Sequence, residues 1–119
     1  MYSAQLLDHF ENPRGVGDLA NASVSVELQN PACGDVLRLS LLVDQGRIVD
    51  ARFRAKGCVP AIACGSWLTQ AIEGKAVPEL AAISAEQIET GLGGLPAASH
   101  HASTLAIAAL GEALDKLGR

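Results

Sequence analysis

Aromatic residues, cysteines and long apolar runs are all scarce in this sequence. Of its 119 residues, two are Phe, one is Tyr and one is Trp, although 49% are hydrophobic. The core must therefore consist mostly of Ala, Leu, Ile and Val. Three cysteines are an odd number, which argues against a complete disulfide framework. The N-terminus lacks a secretory signal, and no apolar run approaches the roughly 20 residues that span a bilayer. We therefore expect a cytoplasmic protein with reduced thiols and no membrane partner.

No run of one charge sign stands out along the chain. The net charge is −4, and acidic and basic residues are interspersed. The lack of a basic run argues against nucleic acid as a partner, although an acidic chain can still fold into a local basic surface. The length suits a single domain covering residues 1–119, which is long enough for one core but not for two.

Apolar periodicity and stop signals predict a helix, then three strands, then several helices. The first helix is predicted over Tyr2–Asn12, with Ser3 as its cap. Its residues Leu6, Leu7 and Phe10 are expected to face the core. The strands are predicted at 23–28, 36–43 and 48–53, and later helices at 60–74, near 78, from 84 and from 99 or 100 to 117. This order predicts an α+β fold, a three-stranded antiparallel sheet packed against several helices.

A hairpin in the middle of the chain is predicted to bring two cysteines together. Two strand-prone runs, 36–43 and 48–53, flank a short turn in which Gly46 can take a positive φ. With the turn centred just before Gly46, extension of the ladder places Cys33 opposite Cys58. Either a metal or a disulfide would suit that convergence.

Several side chains near this end of the hairpin suit a metal ion. Cys58 precedes a predicted helix, whose unpaired N–H groups and dipole favour a thiolate. Cys33 lies in a loop, and Asp35 offers an oxygen ligand. His100 and His101 open the last helix, where the dipole favours the neutral imidazole that binds metal. Two thiolates, one carboxylate and one imidazole form a set suited to zinc or to an iron–sulfur cluster.

The same residue types also have ordinary structural explanations. Free cysteine is a common core residue. Cys64 lies on the same predicted helix as Cys58 but points about 120° away from it, so packing is the expected role of Cys64. Asp35 can cap a turn. An exposed or capping role is the ordinary expectation for His100 and His101.

Several short motifs occur in a fixed order along essentially the whole chain. They are Met1–Ser3, Asp8–Arg14, Val16–Gly17, Pro31–Asp35, Phe53–Arg54, Gly57–Cys58 and Ala61–Ala63. Together they give the chain a specific resemblance to the iron–sulfur cluster assembly scaffolds of the NifU/IscU-like family. It implies an α+β fold with a three-stranded antiparallel sheet. It also implies a site that receives sulfur from a cysteine desulfurase, receives iron and holds a nascent [2Fe–2S] cluster for delivery to acceptor apoproteins, or in some members binds zinc.

Carried over residue by residue, the resemblance implies Cys33, Asp35, Cys58 and His101 as ligands. The family's third motif has a cysteine after the histidine, whereas this chain has Ala102. His100 and Cys64 are therefore candidate substitute ligands, with Cys64 the poorer one on its helical angle. The Leu-Pro-Pro-Val-Lys motif of relatives that use a chaperone pair is replaced by Leu95–Ser99, so chaperone recognition is not predicted.

Three hypotheses remain open from the sequence. The leading one is a scaffold-type protein with no enzymatic activity of its own. The second is a divergent paralogue that binds zinc through the same residues in an accessory or regulatory role, without cluster assembly. The third is a thiol redox module that uses a Cys33–Cys58 disulfide, and it ranks lowest because neither cysteine belongs to a CxxC motif.

Overall fold

A three-stranded antiparallel sheet organises the protein, and helices cover its inner face. The computed structural model describes residues 2–32 and 34–118. Its elements are, in chain order, α1 (Ala4–Glu11), β1 (Val24–Gln29), β2 (Val36–Asp44), β3 (Arg47–Lys56), α2 (Val59–Ile72), a 3₁₀ helix (Val77–Ala82), α3 (Ala85–Gly91), a 3₁₀ turn (Ala97–Ser99) and α4 (His100–Lys116). The strands are ordered β1-β2-β3. The predicted α+β fold with a three-stranded sheet is confirmed.

The β2–β3 turn forms where the sequence predicts it. Val43 pairs with Ile48 across the ladder. Gln45 and Gly46 both have positive φ, 52° and 77°, as a two-residue type I′ turn requires. Such a turn matches the twist of the strands that it joins, so the hairpin closes tightly.

A β-bulge then shifts the register of the hairpin by one residue. Leu42 pairs with Asp50, which leaves Val49 without a partner on β2, and Val49 is 49% exposed. The predicted register is therefore wrong by one residue along the described ladder beyond the bulge, because the alternation of the strand does not reveal an inserted residue. The predicted placement of Cys33 opposite Cys58 concerns a residue that lies outside the described residues.

The core lies between the inner face of the sheet and helices α2 and α4. Leu39, Leu41 and Phe53 from the sheet are almost fully buried. Gly65 of α2 lies directly over the Phe53 ring, where any Cβ would overlap it. Ala109 of α4 is buried as well. Small residues on the helices thus let them approach the sheet closely.

The first helix is capped as predicted, but of its three predicted core residues only Leu6 is buried, and Phe10 is half-buried. Ser3 Oγ accepts a hydrogen bond from Leu6 N at 2.9 Å, and Leu6 is buried. Leu7 is 39% exposed, so its prediction as a core residue was wrong. His9 takes the inward position instead, three residues after Leu6, and its Nδ1 lies 2.7 Å from Ser66 Oγ.

The loop after α1 is also more ordered than the sequence indicates. Phe53 N donates to Gly15 O at 2.7 Å, and Gly17 N donates to Phe53 O at 2.9 Å. These bonds attach the loop to the outer edge of β3 as a short parallel bridge. In the described part of the chain, no helix is both long and apolar enough to cross a membrane.

Candidate metal centre

The ends of three elements meet beside the open end of the hairpin. Asp35 immediately precedes β2, whose last described pair with β3 is Val36 with Lys56. Cys58 is the N-cap residue of α2 and has extended backbone, φ −75° and ψ 164°. His101 lies in the first turn of α4. The tertiary fold thus brings together residues that are far apart in sequence.

Asp35, Cys58 and His101 present one ligand atom each to a common point. Cys58 Sγ lies 3.1 Å from Asp35 Oδ2 and 3.8 Å from His101 Nε2. His101 Nε2 lies 3.3 Å from Asp35 Oδ2. Each residue thus offers an atom within 4.8 Å of the other two, which is close enough for all three to contact one cation.

Backbone groups hold these side chains in place. Cys58 N donates to Asp35 Oδ1 at 3.3 Å, so the carboxylate caps α2 while its other oxygen remains at the site. His101 Nδ1 lies 3.1 Å from the carbonyl oxygen of Ala98. A proton on Nδ1 donated to that carbonyl leaves the Nε2 lone pair directed to the site, the arrangement that orients metal-bound histidines.

Burial and charge keep the Cys58 thiol protonated in the absence of a cation. Burial raises the pKa of Cys58, and the neighbouring Asp35 carboxylate raises it further. The position of Cys58 at the helix N-terminus therefore does not lower its pKa in the absence of a cation, because burial and Asp35 raise that pKa more than the backbone N–H groups lower it. The thiol donates to Asp35, and a bound cation would release this proton.

Two of the candidate ligands are placed elsewhere. Cys64 is 1% exposed in the core, and burial raises its pKa to about 12. His100 is exposed, with Nε2 lying 3.6 Å from Glu89 Oε1. Neither joins the cluster of ligand atoms found among the described residues. The geometry favours packing for Cys64, as its helical angle indicates. Ala102 is 2% exposed within the core.

The donor set fits a borderline or soft cation. A thiolate, an imidazole and a carboxylate are the ligands that zinc accepts, and thiolates together with imidazole also bind iron–sulfur clusters. Asp35 is 4% exposed, whereas Cys58 and His101 are half-buried. The partly open side gives an incoming ion, or a partner, access to the sulfur and the imidazole.

Two contributors to the site were missed by sequence reasoning. Gly57 has φ +149°, and a Cβ there would overlap the Asp35 carboxylate, so this glycine is needed for the carboxylate to reach the site. The sequence feature that could have identified Gly57 as part of the site is its position directly before Cys58. The Ala98 carbonyl had no signal, because any residue supplies the same backbone oxygen.

Comparison with known proteins gives a consistent result. The NifU-like N terminal domain family model matches residues 1–118. The "Iron-sulfur cluster assembly scaffold protein IscU 1" of Archaeoglobus fulgidus is 40% identical over 114 residues, covering 96% of this chain and 74% of that protein. The "Iron-sulfur cluster assembly scaffold protein IscU" of Escherichia coli K12 is 42% identical over 113 residues, covering 88% of this chain and 84% of that protein.

A solved structure shares the fold at much lower identity. The N-terminal part of a nitrogen-fixing NifU-like protein from Brucella abortus superposes with a TM-score of 0.80 at 18% identity, covering 98% of this chain and 93% of that one.

Proposed function

The chain belongs to the family of NifU-like N-terminal domains, and from that premise we propose that it is an iron–sulfur cluster assembly scaffold that accepts sulfur and iron. The observation that carries the proposal is the convergence of Asp35, Cys58 and His101 on one point. Relatives that are 40% and 42% identical to it are named as such scaffolds. The cluster is cargo, which the site holds and then passes on.

In this proposal four residues hold a nascent [2Fe–2S] cluster. Cys33 and Cys58 supply thiolates, His101 supplies its Nε2, and Asp35 supplies an oxygen. The carboxylate is the weakest ligand for a soft cluster, so its exchange would ease release. A cysteine desulfurase would supply sulfur, and acceptor apoproteins would receive the cluster. The chain would catalyse no reaction of its own.

Zinc binding without cluster assembly is the second candidate, and one observation favours it. The cysteine that the family resemblance implies at position 102 is replaced by Ala102, whose side chain is buried in the core. With one thiol fewer, the site offers fewer of the thiolate ligands that hold iron–sulfur clusters. Two thiolates, an imidazole and a carboxylate still satisfy a tetrahedral zinc ion.

One measurement separates the two candidates. Protein purified without oxygen is analysed for iron, zinc and acid-labile sulfide, and its visible spectrum is recorded before and after incubation with ferrous iron, cysteine and a desulfurase. Iron and sulfide in near-equal amounts, with charge-transfer bands, support the scaffold. Zinc that resists displacement by iron and sulfide, with no sulfur mobilised, supports the zinc-binding paralogue and contradicts the scaffold.

The same preparation tests the assigned ligands. Cys58→Ala should abolish both cluster and metal retention, because it removes a thiolate from the centre of the described trio. A reversible loss of about two protons in mass on oxidation, with no metal bound, would instead point to the disulfide of a redox module.

A further inference from the structure

The basic residues of this acidic protein are concentrated on one hairpin. The sequence contains nine Lys and Arg residues and 13 Asp and Glu residues. Five of the nine cations lie between Arg38 and Lys56 on β2 and β3, a segment with only two acids, Asp44 and Asp50. The segment is therefore net positive in a chain of net charge −4.

The fold places four of these cations on the outer face of the sheet, opposite the helices. Arg38 pairs directly with Arg54, and the rows on either side contain Arg52 and Lys56. The Arg38 and Arg54 side chains are 47% and 59% exposed. We call Arg38, Arg52, Arg54 and Lys56 the basic face.

This face already binds three carboxylates of the chain itself, those of Asp18, Glu27 and Asp50. Asp18, in the loop before β1, contacts Arg54 Nε at 2.7 Å and Arg38 Nη1 at 3.4 Å. The hydrogen bond from Arg54 is the main reason that the pKa of Asp18 lies below its ordinary value. Two like charges facing each other across strands repel, and a carboxylate between them relieves that repulsion. The face is thus built to hold acidic groups.

Part of the basic face remains available for a further acidic group. Asp18 contacts Arg38 and Arg54, Glu27 also contacts Arg38, and Asp50 contacts Arg52. Lys56 is exposed and forms no ion pair within residues 2–32 and 34–118. It lines a shallow depression of about 380 Å³ together with Val36, Arg38, Arg54, Ala55 and one acidic residue, Glu27.

The depression adjoins the candidate metal centre. Lys56 and Val36 form the last described pair of the hairpin. Asp35 immediately precedes Val36 in the chain, and Cys58 is two residues after Lys56. A peptide segment bound to the basic face near Lys56 would therefore lie next to the metal centre without occupying it.

We propose that the basic face docks an acidic segment of a partner protein beside the metal centre. The proposal extends the proposed function, since a donor or acceptor must approach the centre, but the charge pattern stands without it. A protein segment fits better than nucleic acid because Glu27 and Asp50 lie among the cations and would repel an unbroken row of phosphates. An acidic segment with interspersed neutral or basic residues matches that pattern.

A peptide-binding experiment on the full chain tests the proposal. The probe is a fluorescein-labelled peptide of ten residues rich in Glu and Asp, titrated at low salt, with binding mapped by backbone amide shifts. We expect binding centred on residues 36–38 and 52–56. Arg54→Glu combined with Lys56→Glu should weaken it about tenfold or more, because exposed charge pairs are individually modest but act together. Raised salt should weaken it further.

A matched variant controls for net charge. Lys75→Glu combined with Lys116→Glu makes the same change in charge away from the basic face, and should leave peptide binding within about twofold. Cys58→Ala should remove metal while leaving peptide binding intact, so failure of the metal function and failure of the docking surface are distinguishable.

Three results would overturn the docking proposal. One is no peptide binding at low salt. Another is equal weakening by the two charge-reversal pairs, which would mean that only net charge matters. The third is tighter binding of a single-stranded DNA decamer to the same residues, which would identify a surface for phosphates.

Discussion

The Asp35 carboxylate packs against the Cα of Gly57, in the space that a side chain at position 57 would occupy. The same carboxylate accepts a hydrogen bond from Cys58 N and lies 3.1 Å from Cys58 Sγ. Gly57, the residue directly before Cys58, therefore determines where the Asp35 carboxylate can lie. Position 57 belongs to the site although it contributes no ligand atom.

Gly57→Ala should lower metal affinity and stability, although the substitution adds only one methyl group. The added Cβ displaces Asp35, and φ of +149° is unfavourable for alanine. We expect metal affinity to fall by at least about tenfold, with a stability loss of about 1–3 kcal/mol, measured by metal titration and urea unfolding. Gly17→Ala is the control, since Gly17 has φ +137° but nothing within 4 Å of its Cβ. Equal metal affinity in the two variants would contradict the steric argument.

The two described cysteines should respond differently to alanine. Cys58→Ala should abolish metal binding, because Sγ is one of the three converging ligand atoms. Cys64→Ala should leave metal binding nearly intact but cost about 1–2 kcal/mol of stability, because it empties part of the core. Metal analysis and urea unfolding of both variants check this. Metal loss in Cys64→Ala at unchanged stability would show that Cys64 is a ligand.

Asp35→Asn should make the Cys58 thiol more reactive. Burial is the largest cause of the raised pKa of Cys58, and the Asp35 carboxylate is the next. Replacing the carboxylate by a neutral amide therefore lowers that pKa and increases the thiolate fraction. We expect alkylation of Cys58 by iodoacetamide at about pH 8 to become several-fold faster, since one pKa unit is about tenfold in thiolate. Peptide mass spectrometry resolves Cys58 from the other cysteines. Asp44→Asn in the hairpin turn is the control, and a slower reaction in Asp35→Asn would refute the electrostatic explanation.

Stability should fall on mild acidification because of His9. Burial, followed by the nearby Arg14 charge, lowers the pKa of His9 below its ordinary value of 6.5, so the unfolded chain takes up the proton first. The free energy of unfolding should therefore be unaffected well above pH 6.5 and decrease as the pH falls through it, until the folded state is protonated too.

The histidine effect is checked by urea unfolding across this pH range. His9→Gln keeps a side chain that can form a hydrogen bond with Ser66, and it should flatten the plot of unfolding free energy against pH. His100→Gln changes an exposed histidine and should leave the profile as it is. The explanation fails if both variants keep the original slope.

The elements of the fold were largely readable from local signals. The β2–β3 turn, the Ser3 cap of α1 and the start of a helix at Ser84 all occur where the sequence predicts them. The Val49 bulge and the exposure of Leu7 were not predicted. Periodicity identifies an amphipathic element. Whether a strand contains an inserted residue, and which helix residues face the core, depend on the segments that pack against that element.

By itself the sequence determined the residue types of the site and the order of the elements that carry them. It placed Asp35 before a strand, Cys58 before a helix and His101 in the first turn of another, since turns, caps and alternation are local properties of the chain. Their assignment as ligands remains a proposal from that reading.

Only the tertiary structure decided the distances and the charges around those residues. Helix α4 must pack on the sheet before His101 can come within 3.3 Å of Asp35, and burial beside a carboxylate raises the pKa of Cys58 against the helix dipole. Strand pairing likewise gathers scattered cations such as Arg38 and Arg54 on one face. Long-range electrostatics and packing depend on which distant segments meet, and no local pattern contains that information.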